Sequence, residues 1–206
     1  MKKILIGTHN YGKFKEIAYL LPKKYKKISP VKLKIKSPKE TGKTFISNAK
    51  LKVKYFSKFV DYDVISDDSG LCVKALNNRP GIYSARLAKK YGSFLKAMKF
   101  ILNSLKNKKN RSANFVCSLA YKSKKGKIIT VQGNLKGIIS SKIKGNKGFG
   151  YDPIFIPKGH KITFGQMSKL RKIKMDHRFI AYSKLVKRIK IWRIFYFQFY
   201  ICPNLE

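Results

Sequence analysis

Apolar and polar residues follow two different periods along the chain, and each period predicts one type of element. The apolar run over residues 3–8 predicts a buried strand. Over residues 14–21, apolar side chains recur with helical spacing as far as Pro22, which predicts a helix that ends there. Residues 31–35 alternate apolar side chains with lysine and therefore predict a strand with one buried face.

The same two periods continue to residue 189 and predict further helices and strands. Helices are predicted over residues 44–59, 94–105 and 179–189, and strands over residues 63–66, 113–121, 127–135 and 154–156. A glycine-rich loop is predicted over residues 145–150. Strands mixed with helices, without an internal repeat or a separating linker, indicate a single α/β or α+β domain over residues 1–190.

The last part of the chain, residues 191–206, is dense in aromatic side chains. These are Trp192, Phe195, Tyr196, Phe197, Phe199 and Tyr200. The apolar stretch is too short to cross a bilayer. An interfacial anchor, an added strand and a dimer contact are each compatible with it, but we favour an extension beyond the end of the folded domain.

Composition excludes several classes of protein. Of the 206 residues, 44% are hydrophobic and 13% aromatic, which is too apolar for a disordered basic tail. No apolar run reaches the length of a membrane-spanning helix. Three scattered cysteines, Cys72, Cys117 and Cys202, form neither a disulfide framework nor a metal cluster, and the first two are predicted to be buried thiols. We therefore expect a globular cytoplasmic protein.

The charge is strongly unbalanced, with 48 lysines and arginines against 9 acids and a formal net charge of +39. Such a charge suits a nucleic-acid-binding surface, because lysine and arginine neutralise phosphates. Lysine dominates, however, whereas proteins that read bases rely on arginine. We therefore interpret most lysines as a consequence of biased codon composition and keep non-specific nucleic-acid binding as the alternative. In both cases the field attracts small anions such as a nucleoside triphosphate.

The scarce acids are more informative than the abundant lysines. Asp67 and Asp68 are adjacent and are predicted to lie at a strand end before a turn, where carboxylate oxygens suit Mg²⁺. Neighbouring side chains of an extended chain point in opposite directions, so the two acids are expected to have separate roles. A plain turn is the alternative. Three further acids are retained in basic surroundings, which indicates that they are needed: Glu16, Glu40 and Asp152.

Three short segments combine side chains that suit a nucleotide. Thr8-His9-Asn10-Tyr11-Gly12-Lys13 is a turn between strand and helix with groups that bind phosphate, although its glycine spacing is not that of a P-loop. Gly148-Phe149-Gly150-Tyr151-Asp152-Pro153 offers aromatic rings beside an acceptor, as purine recognition requires. His177-Arg178 adds a base contact and a phosphate contact. The structural alternatives are a helix-capping turn, a tight turn with core aromatics and a core histidine.

Taken in order, these segments resemble the motifs of the non-canonical purine nucleoside triphosphate pyrophosphatases, the inosine triphosphate pyrophosphatase-like family. The resemblance runs over residues 3–187. Its strongest block is Ser66-Asp67-Asp68-Ser69-Gly70-Leu71 with the continuation to Arg86, and the next is residues 148–155. Thr41-Gly42-Lys43-Thr44-Phe45 and Asn48-Ala49 also match.

The resemblance implies an α/β fold with a long mixed β-sheet, flanked by helices in two lobes around a cleft, and a homodimer. It also implies Mg²⁺-dependent hydrolysis of dITP, ITP and XTP to the monophosphate and pyrophosphate. Asp68 would be the general base and a metal ligand, and Asp67 and Ser69 would lie beside it, Ser69 as a further substrate-binding residue. The implied nucleotide-binding residues are Thr8, His9, Asn10, Tyr11, Gly12, Lys13, Phe149, Gly150, Tyr151, Asp152, Lys172, His177 and Arg178.

The chain departs from the family pattern mainly by losing negative charge. His9 follows Thr8 where the family has glycine, and Ser47 replaces a glutamate. Lys39 is assigned to the place of a metal-binding glutamate, so we expect weakened Mg²⁺ binding with Glu40 as a substitute ligand. Asp176 is the exception, because it adds an acid where a serine precedes the His-Arg pair.

Two other functions remain as alternatives. One is a nucleic-acid-binding protein with an impaired nucleotide site, which would bind duplexes with a steep dependence on salt. The other is a peripheral membrane protein anchored by the aromatic extension.

Overall fold

A mixed β-sheet runs through the part of the chain that this computed structural model describes, residues 1–124 and 126–189. Its strands in that part are β1 (Lys2–Ile6), β2 (Tyr25–Ile28), β3 (Asp63–Val73), β4 (Arg79–Pro80), β5 (Ser112–Lys122), β6 (Ile128–Ile139) and β7 (Phe155–Pro157). Their order is β2-β1-β3-β5-β6-β7, and β4 pairs with β3. β1 is parallel to β2 and β3, whereas β5, β6 and β7 continue the sheet in antiparallel pairs.

Six α-helices flank the sheet in the same part of the chain. They are α1 (Tyr11–Leu20), α2 (Phe45–Phe56), α3 (Ser84–Lys90), α4 (Phe94–Ser104), α5 (Lys169–Ile173) and α6 (His177–Ile189). Polar side chains fix where they begin: the Asn10 side chain caps α1, and Thr44 and Ser47 form a reciprocal capping box on α2. Ser47 thus serves the helix end although it is not the glutamate of the resembled family. The predicted α/β fold with a long mixed sheet is confirmed.

The apolar core is divided into three clusters that define two lobes. One lobe is built on Leu71, Ile101 and Phe155, with α3 and α4 packed on the far halves of the long strands. The other lobe has a core on each face of the sheet, one under α1 and α6 and the other under α2. The middle of β3 lies between these clusters. Its polar residues are therefore held by apolar packing on both sides.

The predicted strand over residues 31–35 is wrong. Residues Pro30–Leu33 form a 3-10 turn instead, which the Ser29 side chain caps by accepting from the Lys32 N–H and which ends at Lys34 with φ 53°. Proline at the first helical position has the φ that the turn requires. The edge strand comes from Tyr25–Ile28, where two adjacent lysines hide the alternation.

The predicted position of the acidic pair also needs correction. Asp67 and Asp68 lie within β3 and not at a strand end, because the strand continues for five residues beyond them and pairs with β5 throughout. The other predicted helices and strands occur within a few residues of their predicted bounds. The aromatic extension, residues 191–206, lies outside the described residues, as does Cys202. Among the described helices, none combines the length and hydropathy that a membrane crossing requires.

The two described cysteines are free thiols. Cys117 is buried and its burial raises its pKa, as expected for an inert core thiol. Cys72 is only half-buried, which is less than the sequence predicts.

Candidate active site

A cleft with an empty volume of about 670 Å³ opens beside the middle of β3, where residues of both lobes meet. Twelve of the sequence-predicted site residues line it: Asn10, Lys13, Glu40, Asp68, Ser69, Phe149, Gly150, Tyr151, Asp152, Lys172, His177 and Arg178. They come from segments far apart in sequence, so the fold brings together the separate motifs.

The turn between β1 and α1 presents only part of its side chains to the cleft. Asn10 Oδ1 accepts from the Lys13 N–H at 3.0 Å, and the Lys13 Nζ lies 3.2 Å from the Asp67 carboxylate. Thr8 is buried below the turn, and its hydroxyl accepts from the Asn10 N–H. This geometry leaves the Lys13 ammonium at the cleft, beside the first residues of a helix that favour an anion.

The other three predicted residues of the turn do not line the cleft. His9 is exposed, and its Nε2 lies 2.9 Å from the Ile35 carbonyl, to which it donates. Tyr11 is exposed under the Lys15 ammonium. Gly12 packs against the Phe149 ring so closely that no Cβ would fit. These residues shape the turn, and direct contact with a ligand is not indicated for His9 or Tyr11.

Asp67 and Asp68 point to opposite faces of β3, as predicted from strand geometry. Asp67 is fully buried and faces Lys13 and Arg178, with its Oδ2 3.8 Å from the Arg178 Nε. Asp68 faces the cleft, where its Oδ2 accepts from the Asn48 side-chain amide at 3.1 Å. The predicted separation of their roles therefore has a structural basis.

The two carboxyl groups differ in acidity because their neighbours differ. Burial alone would raise the pKa of Asp67, but the charges of Lys13 and Arg178 outweigh it and lower that pKa to about 2. Burial raises the pKa of Asp68, and the nearby charge of Lys52 only partly opposes this rise. Asp67 is thus a fixed anion, while Asp68 is the stronger proton acceptor of the pair.

Lys52 is a buried cation of the site that the sequence analysis did not identify. Its Nζ lies 2.6 Å from Glu40 and 3.8 Å from Asp68. Burial opposes its charge, but these acids raise its pKa and keep it protonated. The Glu40 and Asp68 carboxylates therefore converge on one positive charge. The signal in the sequence was the helical spacing between Asn48 and Lys52, which places both side chains on the same face of α2.

Lys39 does not lie where the family resemblance would place a metal-binding residue. It is exposed and does not line the cleft, whereas the adjacent Glu40 does. Glu40 is therefore the carboxylate at this part of the cleft. The buried Lys52 ammonium lies beside it, so weakened Mg²⁺ binding by a nearby cation stays a prediction, with Lys52 and not Lys39 as the cation.

Asn48 connects the Thr41-Gly42 turn to the acidic pair. Its Oδ1 accepts from the Gly42 N–H at 2.8 Å, while its amide donates to Asp68. A Cβ at residue 42 would collide with the Asn48 and Ser47 side chains. The glycine and the asparagine are thus parts of one arrangement that orients the Asp68 carboxylate.

The opposite end of the cleft holds aromatic and cationic groups. The Phe149 ring lies under two cations, with the Lys172 Nζ at 4.6 Å and the Arg178 guanidinium carbon at 5.4 Å from its centroid. Asp152 Oδ2 accepts from the Phe149 N–H at 2.8 Å and from Lys172 at 2.5 Å. These contacts fix both the loop and the ammonium group.

Glu16 bridges the side chains of Lys172 and Arg178. One of its oxygens accepts from Lys172 at 2.8 Å and the other from Arg178 at 2.7 Å. Burial opposes ionisation of Glu16, but the charges of Arg178 and Lys172 outweigh it, and the pKa of Glu16 is lowered. The sequence indicated only that this acid is needed. Its role depends on a contact with residues more than 150 positions away, which no local pattern shows.

His177 is neutral and has a defined tautomer. Burial lowers its pKa well below the ordinary value, and the charge of Arg178 lowers it further. Its Nε2 lies 3.1 Å from the Arg178 Nη1, which can only donate, so Nε2 accepts and the proton is on Nδ1. Nδ1 is buried and has no partner among the described residues. His177 therefore carries a buried N–H donor without a partner among the described residues, on the ring whose Nε2 contacts Arg178.

The sequence is similar over nearly its whole length to proteins of known family. A sequence profile of the Ham1 family matches residues 4–188. A dITP/XTP pyrophosphatase of Caulobacter vibrioides is 40% identical over 185 residues, which cover 89% of this chain and 95% of that protein. A dITP/XTP pyrophosphatase of Bacillus subtilis is 39% identical over 194 residues, which cover 92% and 98%.

Solved structures give the same result for the fold. The Ham1 protein of Staphylococcus aureus superposes with a TM-score of 0.81 at 36% identity, over 92% of this chain and 98% of that one. A HAM1 protein of Coxiella burnetii gives a TM-score of 0.82 at 30% identity, over 92% and 99%. The family match, the sequence identity and the shared fold agree with the site geometry: the chain belongs to the Ham1 family.

Proposed function

We propose that the protein hydrolyses non-canonical purine nucleoside triphosphates, dITP, ITP and XTP, to the monophosphate and pyrophosphate. The observation that carries the proposal is the cleft itself, which brings acids and cations together with the Phe149 ring and the buried cations Lys172 and Arg178. A reaction of this kind removes damaged nucleotides from the pool. The relatives' names, dITP/XTP pyrophosphatase, support the same substrates.

Asp68 is the proposed general base. Attack of water on the α-phosphorus requires a carboxylate that accepts a proton, and Asp68 has a raised pKa, whereas that of Asp67 is lowered to about 2. Asn48 orients the Asp68 carboxylate. Lys13 and Lys52 provide positive charge near the phosphates, where negative charge develops in the transition state.

Glu40 and Asp68 are the proposed Mg²⁺ ligands. Their oxygens converge on the Lys52 ammonium, so this position already favours a cation, and two carboxylates suit an ion that keeps several waters. When bound, Mg²⁺ would neutralise phosphate charge. Lys52 would adjust to share its two carboxylates with the metal.

The base end of the cleft suits a purine with an oxo group at position 6. His177 and Arg178 line the cleft and both carry N–H donors, from which an oxo group would accept. The amino group of adenine would face these donors without an acceptor. A polar site discriminates strongly in this situation, because its buried groups are left unpaired by the wrong base.

The experiment is pyrophosphate release from dITP, XTP, dATP and dGTP with Mg²⁺, for the wild type, Asp68→Asn and Asp61→Asn. We expect release from dITP and XTP, a loss of about 10²–10⁴-fold in Asp68→Asn, and wild-type activity in Asp61→Asn, since Asp61 is a surface residue 77% exposed. No release from dITP or XTP at any Mg²⁺ concentration would refute the proposal. Full activity in Asp68→Asn would refute the assignment of the base.

The homodimer implied by the family resemblance and the cytoplasmic location expected from composition also belong to this proposal. Sedimentation of the purified chain tests the first, and cell fractionation the second.

A further inference from the structure

Asp176 is a buried acid that the proposed reaction does not use. It directly precedes α6 and is 0% exposed. Its Oδ1 accepts from the Phe179 N–H at 2.8 Å and so caps the first turn of the helix. Its Oδ2 is buried, and none of the described residues donates a hydrogen bond to it. A buried carboxylate oxygen without a donor is costly, so this geometry favours a proton on Oδ2.

The Glu16 carboxylate is the group that would accept a hydrogen bond from a protonated Asp176. Glu16 and Asp176 influence each other's ionisation, because both carboxyl groups are buried beside Lys172 and Arg178. Both Glu16 oxygens already accept from Lys172 and Arg178, so Glu16 carries the charge of the pair. A neutral Asp176 can donate to it, whereas two ionised carboxylates would repel. Burial and then the Glu16 charge raise the pKa of Asp176 to about 7.

The charges around Asp176 balance only when it is neutral. The titratable side chains that face it are Glu16 on α1, Cys117 on β5, Lys172 on α5 and Arg178 on α6. Lys172 and Arg178 carry two positive charges, and Glu16 together with Asp152, the other acid on Lys172, carries two negative ones. An ionised Asp176 would add a third negative charge to a region closed to water.

We propose that Asp176 is a positioning residue for the purine base, an inference that rests on the proposed function. As a neutral acid it donates Oδ2–H to Glu16 and so fixes the carboxylate that holds Lys172 and Arg178 at the cleft. Loss of the proton sets two anions side by side and draws both cations away from the base. None of the contacts described for Asp176 reaches Asp68, so we expect the effect on base binding to exceed that on the proposed general base.

The test is the pH dependence of KM and kcat for dITP, in the wild type, Asp176→Asn and Asp61→Asn. If only the neutral form binds well, KM in the wild type rises by about tenfold from pH 6 to pH 8. The asparagine amide keeps a donor and does not titrate, so the ratio of wild-type to Asp176→Asn KM should follow this rise while the ratio of kcat values stays constant. Taking the ratio cancels the titration of dITP itself. Asp61→Asn, which removes an exposed carboxylate, should follow the wild type.

Thermal stability provides a second readout that needs no substrate. The folded protein holds the Asp176 proton up to about pH 7, whereas an unfolded aspartate releases it near 3.8. At this group the folded state therefore binds more protons in this window, and the contribution of Asp176 to wild-type stability falls as pH rises from about 4 to about 7. The Tm of Asp176→Asn relative to the wild type should increase over the same range.

A direct measurement keeps the inference testable if a variant fails to fold. The ¹³C carboxyl resonance of Asp176 in wild-type protein without nucleotide should titrate near neutral pH, and an ionised group at pH 5 would overturn the inference. A constant KM ratio with active enzyme would also overturn it. Absence of dITP hydrolysis at every pH would instead refute the proposed function, while the carboxyl titration would still report the state of Asp176.

Discussion

Lys39 and Glu40 are adjacent residues with opposite placements, and the difference decides which of them could act on a cation bound in the cleft. The Glu40 carboxylate lies 2.6 Å from the buried Lys52 ammonium and lines the cleft. Lys39 is exposed, where water and salt screen its charge. Only Glu40 is therefore placed to act on a bound cation.

We predict that a substitution of Lys39 and a substitution of Glu40 have unequal effects on the Mg²⁺ dependence of the activity. Lys39→Ala should leave the Mg²⁺ concentration for half-maximal pyrophosphate release within about twofold of the wild type, since an exposed charge contributes little. Glu40→Gln should raise it by about 10–100-fold, because it removes one of two carboxylates. The measurement is a Mg²⁺ titration at saturating dITP. A larger effect of Lys39→Ala than of Glu40→Gln would show that the metal lies elsewhere.

Residue spacing along the sequence predicted part of the site, and the other site residues were missed for physical reasons. The opposite directions of Asp67 and Asp68 follow from the two-residue period of a strand and are observed. Lys52 was not identified because lysine is the most frequent charged residue of this chain, and only the fold distinguishes a buried lysine from exposed ones. The acidity of Asp67 depends on Arg178, more than 100 positions away.

Helix α6 carries His177 and Arg178, and its distance from the sheet is set by one glycine. The backbone of Gly133 on β6 approaches the His177 carbonyl and the Ala181 nitrogen so closely that a Cβ would overlap both. These are backbone atoms, which cannot move without moving the helix. The close packing of β6 and α6 thus places His177 and Arg178, the side chains proposed to bind the base.

Gly133→Ala should therefore affect stability and base binding together. We expect a loss of about 1–3 kcal/mol in the free energy of unfolding, the usual range for overpacking, and a several-fold increase in KM for dITP. Urea denaturation and steady-state kinetics measure the two effects. Lys184→Ala is the control, because it removes an exposed α6 contact to the Gln132 carbonyl without changing the backbone spacing. An unchanged KM in a destabilised Gly133→Ala protein would show that α6 does not position the base.

At the level of elements, hydrophobic periodicity predicted helices better than short strands. A helix such as α4 shows its apolar stripe over three turns, so its bounds were nearly correct. Residues 31–35 are too few for the alternation of a strand to be distinguished from the pattern of a 3-10 turn. The overlooked signal was Ser29-Pro30, which starts that turn. The continuation of β3 through the acidic pair depends on pairing with β5, which is a long-range interaction.

Over the whole molecule, the net charge of +39 has to be compatible with a compact fold. Six of the nine acids are buried or half-buried around the cleft: Glu16, Glu40, Asp67, Asp68, Asp152 and Asp176. They neutralise the cations of the site and leave the exposed lysines largely unopposed. The exposed lysines therefore repel one another. Their positive field also favours the binding of polyanions, including the nucleic acids of the alternative function.

Screening this repulsion should stabilise the protein. An increase in NaCl from about 0.02 M to about 0.2 M shortens the Debye length from about 20 Å to about 7 Å, so exposed lysines interact less with one another, while the buried pairs of Glu16 and Asp67 are little affected. We expect a gain of about 1–2 kcal/mol, or about 2–8 °C in Tm. Chloride is the appropriate salt, because sulfate stabilises proteins through its exclusion from their surface. A Tm that stays constant or falls over this range would mean that self-repulsion of the lysine surface does not limit the stability of the fold.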